Sequence, residues 1–493
     1  MDTAAIAVPS ADPWAVAAFL VYLGLMAGIG LWAARFASQD VGHFFVGGRR
    51  MHRFVVALSA VVSGRSAWLL LGVTGLAWTR GASAIWAVAG YTLVEGALFL
   101  WYAPRIRRLS DRFDCVTLPD VFAARLGERR VLRLLLVSVI LVFMAGYLAA
   151  QFVGGGKAFA AGFGMPERTG ILVTAGIVVL YTAIGGFLAV SLTDMVQACV
   201  MLFALLAVPL IAGTHAGWGT VAATLRGLDP ALLDPMALSA GAFLGFTGIG
   251  LGSPGNPHIL VRYMSIADAR QLRWAAGVGT LWNVLMGAGA VVIGMVGRAA
   301  LPRLEQLPGG DTEMLFPVLA QQHLPPVLFG IVVAAVFAAI MSTADSQLLV
   351  AASAVVRDLW QKALGRGGDE RALVRLSRFT VGGLVLAALA FGTIADQVVF
   401  WLVLFAWAGL GAALGPPSVL MLFWKRTTAA GAIAGIVTGA VTVVVWYFVP
   451  PLKGALYELI PAFLLSAVVT VLVSLATRPP DGLEERWRAM FGD

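Results

Sequence analysis

The stretch Ala57-Leu-Ser-Ala-Val-Val-Ser-Gly-Arg-Ser-Ala-Trp68 sets an arginine, Arg65, inside an apolar helix. An arginine at bilayer depth costs about 2.5–3.5 kcal/mol even on the forgiving insertion scale. Its side chain must face protein or water and meet an anion. Ser63-Gly64-Arg65-Ser66 also interrupts the helix that its neighbours favour. A second interruption, Gly248-Ile-Gly-Leu-Gly-Ser-Pro-Gly-Asn-Pro257, falls five expected spans later. Glycine and proline free backbone carbonyls and amides, which is tolerated at membrane depth only against protein or a wet cavity. Interrupted segments at matching positions of two halves point to the binding site of a secondary transporter. For most of the 57 glycines, close helix packing is explanation enough.

The rest of the chain fits a membrane protein. It has 493 residues, 60% hydrophobic and 12% charged, against about 25% charged in a soluble domain. Apolar runs predict spans near 14–34, 52–79, 83–104, 131–155, 169–187, 188–212, 237–261, 273–299, 325–352, 377–394, 397–422, 428–449 and 455–475. That makes about thirteen transmembrane helices in an all-α fold, with the boundary at Gly185-Gly186 the hardest to place. With the N-terminus outside, 26 of the 34 basic residues fall in inner segments and seven in outer ones, Arg65 being the remaining one. The positive-inside rule then predicts N-out and C-in. Arg262 counts here as an inner-loop charge. The net charge of +8 reflects topology; no clustered basic face interleaved with aromatics suggests nucleic acid.

The start, 1–13, has two aspartates and no basic residue, so it lacks the positive region of a signal peptide. Cys115 in an inner loop and Cys199 in a helix give no disulfide framework. The tail, 476–493, is too short for an appended catalytic or signalling domain. No nucleophile–base motif or metal-ligand spacing indicates an enzyme. No obligate protein partner is evident, and no cofactor is expected beyond a coupling ion.

Three carboxylates lie in apolar spans. Asp345 stands in Ala338-Ala-Ile-Met-Ser-Thr-Ala-Asp-Ser-Gln347. Ser342, Asp345 and Ser346 share one sector at 100° per residue, and Thr343 widens it. Hydroxyls, a carboxylate and a spare carbonyl suit a hard cation, although a lone hydroxyl often only bonds back to its own helix. Asp194 in Phe187-Leu-Ala-Val-Ser-Leu-Thr-Asp-Met-Val-Gln197 is an ion ligand or a helix cap. Glu95 snorkels or pairs with Arg65, and His258 reads as a structural histidine. Arg65 is expected to pair with Asp345 first, then Asp194 or Glu95.

At these residues the chain resembles the sodium:solute symporter family, in particular its bacterial sodium/proline symporter branch. The resemblance runs from about 14 to 475. It rests on Phe45-Val-Gly-Gly-Arg49, Ala57-Leu-Ser-Ala60, Ser66-Ala-Trp-Leu-Leu70, Thr117-Leu-Pro-Asp120, Gly185 to Gln197, Pro257-His-Ile-Leu-Val-Arg262, Met341-Ser-Thr343 and Phe405-Ala-Trp-Ala-Gly-Leu-Gly411. It implies a LeuT-like 5+5 inverted repeat of helices 2–6 (52–212) and 7–11 (237–424). An extra first helix (14–34) precedes the repeats and two C-terminal helices (425–475) follow them. It implies a central sodium site at the carbonyls of Val62, Arg65 and Ala339 and the hydroxyls of Ser342 and Thr343. A second, found in some members, would fall on Ser342, Asp345, Ser346 and Asp194. The solute pocket would fall around Ser63, Ser66, Trp68, Tyr147, Ile249, Ser253, Asn256 and Pro257.

The chain departs from that branch. Proline symporters carry Ser-Asp-Met-Ser where this chain has Ser63-Gly-Arg-Ser66, serine at Asp345, and large aromatics at Ile249 and Ser253. The leading expectation is a multi-pass inner- or plasma-membrane transporter. It would import a small, amino-acid-like, proline-related solute by alternating access, coupled to Na+. One alternative is Na+-independent or H+-coupled transport or exchange with the Arg65 guanidinium in the cation's place. Another is a sensor built on the transporter fold.

Overall fold

The computed structural model describes residues 12–37, 45–394, 398–479, 487–488 and 490–491. The expected start 1–13 and tail 476–493 therefore lie largely outside the described residues. The architecture is all-helical, and a two-residue bridge, Met51 with Ile266, is the β pairing among the described residues.

Ten helices among the described residues are long and apolar enough to cross a membrane. The expected segments 52–79, 169–187 and 237–261 occur instead as shorter or kinked pieces. The first is Arg53–Ser63, a break at 64–66, then Trp68–Val73 and Thr74–Arg80. The last is Ala240–Gly248, a tight turn of helix Ile249–Gly255, and Pro257–Ser265. The boundary expected at Gly185-Gly186 lies at Gly186, whose φ of 60° and ψ of −169° break the helical path within Glu167–Ala216. That conformation favours glycine, because a Cβ there would clash with the backbone.

Two helices form the centre. The apolar windows of Pro326–Ala363 and Val399–Phe423 are 83% and 89% buried in protein, against 28% for Pro13–Ala33, Ala372–Gly392 and Leu459–Ala476. The last three therefore face lipid. Packing depends on small residues, as it must where lipid is as apolar as leucine. Along Leu272–Ala300, a Cβ on Gly279, Gly287 or Gly294 would meet Val61 at 3.2 Å, Val88 at 1.9 Å or Ala77 at 2.4 Å. This helix thus lies tight against both the first break and its neighbouring hairpin. The Met51–Ile266 bridge, with Met51 N–H donating to Ser265 O at 3.1 Å and Ala267 N–H to Met51 O at 3.0 Å, joins the start of one broken segment to the end of the other.

Candidate ion and solute site

Helix Arg53–Ser63 ends where Gly64 caps it, its N–H reaching Val61 and Val62 carbonyls. The Arg65 N–H also donates to Val62 O, at 3.0 Å. The peptide then turns away from helical geometry, leaving carbonyls that look sideways at the central helix Pro326–Ser353. Two hydroxyls of that helix meet them. Ser342 Oγ donates to Val62 O at 3.3 Å and to its own Ala339 O at 3.2 Å. Thr343 Oγ1 donates to Ser63 O at 3.1 Å. All these residues are fully buried. The expected juxtaposition of Ser342 and Thr343 with backbone 62–65 is therefore present, with Ser63, expected only on the solute side, also supplying a carbonyl.

Around this core lies a second polar layer. Ser63 Oγ and Ser346 Oγ stand 3.3 Å apart. Ser346 Oγ donates to Ser342 O at 2.6 Å and lies 3.3 Å from Asp345 Oδ1. Asp345 is fully buried and its Oδ2 has no hydrogen-bond partner. Asp194 is no helix cap: its Oδ2 accepts from Ser59 Oγ at 2.6 Å and from Arg262 Nη2 at 3.3 Å. Arg262 Nη2 also donates to Ser346 Oγ. Its Nε reaches Ser59 Oγ at 3.1 Å and its Nη1 reaches His258 O at 2.9 Å.

Arg262 overturns its assignment to an inner loop. Proline at the first helical position starts Pro257–Ser265, which carries Arg262 one turn beyond His258 into the protein, 1% exposed. The helix start at Pro257 was the available signal, but the charge count treated Arg262 as exposed.

Of the partners expected for Arg65, Asp345 first and Asp194 or Glu95 next, the structure pairs it with Glu95: its side chain turns away from Asp345 and Asp194. Nε donates to Asn283 Oδ1 at 2.8 Å, and Nη2 lies 3.8 Å from Glu95 Oε2. Asn283 Nδ2 donates to that same Glu95 oxygen. The guanidinium carbon rests 3.5 Å over the Tyr91 ring. The idea of Arg65 standing in the cation's place therefore fails on geometry. The physical reason is direction: the peptide at 64–66 points its carbonyls and its long side chain to different sides. Asn283 had no sequence signal beyond being a polar residue in an apolar span.

The expected solute residues gather between the two breaks. Ser66 Oγ accepts from Trp68 N–H at 3.2 Å and lies 3.4 Å from Tyr147 Oη. Tyr147 meets His258 edge-on at 5.9 Å, which gives that histidine a packing role. Asn256 Nδ2 donates to Gly252 O at 2.8 Å, and Ile249 O accepts from Trp407 Nε1 at 2.8 Å. Ser253 is fully buried beside them. Pro257 stands apart, lining a cleft with Phe187, Arg262 and Asp358. Ile249 also lines a second cleft with Arg80, Trp401, Tyr447 and Glu458. Gln151, Tyr91 and Trp407, which were not singled out in sequence, complete the surround: Gln151 Oε1 accepts Ala67 N–H at 3.1 Å.

Comparison with known proteins agrees with this architecture. The profile of the Sodium:solute symporter family matches residues 44–439. The chain is 37% identical to the high-affinity proline transporter PutP of Bacillus subtilis over 449 residues, 90% of this chain and 94% of that one. It is 36% identical to a sodium/proline symporter of Staphylococcus aureus over 489 residues, 94% of this chain and 93% of that one. Among solved structures, a substrate-bound, outward-open Na+-coupled sialic acid symporter superposes with a TM-score of 0.80 at 17% identity, covering 95% of this chain and 99% of that one. The broken segments, the hydroxyls set against the first break and the shared helical path are thus those of a transporter, and this chain belongs to the sodium:solute symporter family.

Proposed function

We propose that the protein imports a small organic solute, amino-acid-like and proline-related, by alternating access coupled to Na+. The observation that carries this is the meeting of the Ser342 and Thr343 hydroxyls with the Val62 and Ser63 carbonyls. Uncharged oxygens in a dry setting suit a weakly held, hard monovalent cation. The names of the relatives support proline-like solutes and sodium. In this reading Val62, Ala339, Ser342 and Thr343, with the backbone at Arg65, hold one Na+. The solute lies against Ser63, Ser66, Trp68, Tyr147, Ile249, Ser253 and Asn256. The repeats run 52–212 and 237–424.

The second expected cation region, on Ser342, Asp345, Ser346 and Asp194, has a guanidinium in it. Arg262 engages both Asp194 and Ser346. We infer that this tethered charge replaces a second ion, so that one Na+ moves per cycle. Uptake of labelled proline into proteoliposomes, with Na+ replaced by K+ and with pH varied, tests both parts. The expected result is saturable Na+ stimulation with a Hill coefficient near one. Uptake driven equally well by K+, or by a proton gradient alone, would refute sodium coupling.

A further inference from the structure

The Arg65 side chain and its partners lie outside the proposed ion site, to which Arg65 lends only its backbone. It sits where the two breaks face each other. A Cβ on Gly64 would meet Tyr91 Oη at 2.0 Å, and one on Gly252 would meet Trp407 Nε1 at 2.0 Å. Tyr91 and Trp407 are 5.4 Å apart, and Trp68 stacks on Tyr91 at 6.4 Å. Arg65 therefore lies on an aromatic wall between the breaks, fully buried.

Its hydrogen bonding is incomplete. Nε is committed to Asn283, and Glu95 gives a charge at 3.8 Å without a hydrogen bond. Nη1 and Nη2 have no hydrogen-bond partner. Unmet donors at depth are costly, and here others accompany them: Trp68 Nε1 and Gln151 Nε2 are also buried without partners. Glu95 Oε1, Asn256 Oδ1 and the hydroxyls of Tyr91 and Ser253 are open as well, so it is the paired Nη1 and Nη2 donors of one charged group that single this place out. Two parallel N–H groups at the end of a guanidinium match the two oxygens of a carboxylate. Asn283 fixes Nε and Glu95 stands 3.8 Å from Nη2, so the orientation of the guanidinium is set before any ligand arrives.

Resting on the transport reading above, we propose that Arg65 receives the solute's carboxylate. The solute is then a small organic carboxylate with a flat or apolar body, and its amino group is dispensable. The proline-like body packs on Trp68, Tyr91 and Trp407, the aromatic wall on which the guanidinium lies.

Three probes of one shape test this: L-proline, cyclopentanecarboxylate (the carboxylate without the amine) and prolinamide (the amine without the carboxylate). Binding to the purified full-length protein is read as thermal stabilisation in Na+, with uptake into proteoliposomes in parallel. Cyclopentanecarboxylate is expected to bind within a few-fold of proline, and prolinamide at least about tenfold more weakly, the loss of a charge-assisted pair. Arg65→Met is expected to erase that preference, and Arg65→Lys to keep part of it, in preparations that retain stabilisation by Na+ alone. Prolinamide binding as well as proline, with cyclopentanecarboxylate inert, overturns the assignment and leaves the transport reading standing. Arg65→Met with wild-type affinity for the carboxylates does the same. Absence of stabilisation by Na+ and by all three probes overturns both.

Discussion

At the scale of single residues, Arg262 and Asp194 form a buried charge pair, joined directly at 3.3 Å and through the shared Ser59 hydroxyl. Asp194→Asn strands a buried guanidinium, and breaking such a pair from one side costs about 3–5 kcal/mol. A lowered melting temperature in detergent and lost uptake are expected. Asp194→Asn with Arg262→Gln removes both charges and should recover much of the melting temperature; a double variant no more stable than the single one would show that the pair is not the cause. Ser342→Ala and Thr343→Ala each remove one oxygen from the proposed Na+ shell. Each should raise the Na+ concentration for half-maximal uptake by about tenfold, taking one ligand as roughly 1–1.5 kcal/mol, with little change in solute affinity at saturating Na+. Titration of uptake against Na+ reads this directly. The positions of Ser342, Thr343 and Asp345 were legible because helical periodicity fixes a sector. For Arg65, Glu95 was among the candidates but could not be ranked above Asp345, because a long side chain leaving a non-helical turn can take either face; Asn283 and the partners of Arg262 had no local signal.

At the scale of elements, both breaks were readable from glycine and proline, and the fold gives them different supports. The second is held by Trp407, whose indole donates to Ile249 O and touches Gly252. Gly252→Ala puts a methyl 2.0 Å from that nitrogen. Uptake should fall to background while the protein still inserts and purifies; full activity would mean that Trp407 moves freely. The start of Val399–Phe423 has a less obvious support. Glu313 accepts from Val399 N–H at 3.0 Å and Phe400 N–H at 2.8 Å, and Lys157 Nζ lies 2.6 Å from both Glu313 and Asp311. Burial holds the Glu313 carboxyl above the ordinary carboxylate range, and Lys157 opposes that rise. Lys157→Met should therefore destabilise the protein most at high pH, where the unpaired carboxyl must ionise, and less as pH falls and it protonates. Melting curves across pH check the sign. A cap donated from 86 residues away has no local signature, which is why this helix start was placed by hydropathy alone.

At the scale of the whole molecule, one end of the helical bundle is locked by charge. Arg133 joins Asp120 at 2.9 Å, Glu128 at 2.6 Å and Asp358, while Thr117 Oγ1 donates to Asp358 at 3.0 Å. Thr117 and Asp358 line the cleft beside Pro257, and the group ties the segment 117–133 to the far end of the central helix. Cys115 lies just before them, 2% exposed, with Arg49 donating to its carbonyl at 3.0 Å. Burial pushes its thiol up to about 12, with Asp120 adding and Arg49 opposing. Because the thiolate is the reactive form, maleimide should label Cys115 very slowly at neutral pH in native membranes and rapidly after denaturation. Labelling that quickens when Na+ or solute is added would report movement of this lock; fast labelling in all conditions would contradict its burial. The all-helical, broken-segment architecture was legible from composition and punctuation, whereas this lock joins residues more than 200 positions apart and depends on the completed fold.

On the proposed one-ion reading, the arginine held between Asp194 and Ser346 also bears on how far the carrier can concentrate its cargo. A fixed guanidinium moves with the protein and brings in no gradient of its own, so the driving force would come from a single Na+. If that ion travels with a carboxylate, the pair crosses without net charge, and the membrane potential does no work on the completed cycle. The limiting ratio of cargo inside to outside then equals the ratio of Na+ outside to inside. A roughly tenfold sodium gradient, worth about 1.4 kcal/mol, should give a plateau near tenfold accumulation of cyclopentanecarboxylate. An inside-negative diffusion potential imposed with valinomycin should leave that plateau where it was, whereas a second mobile Na+ would raise it steeply.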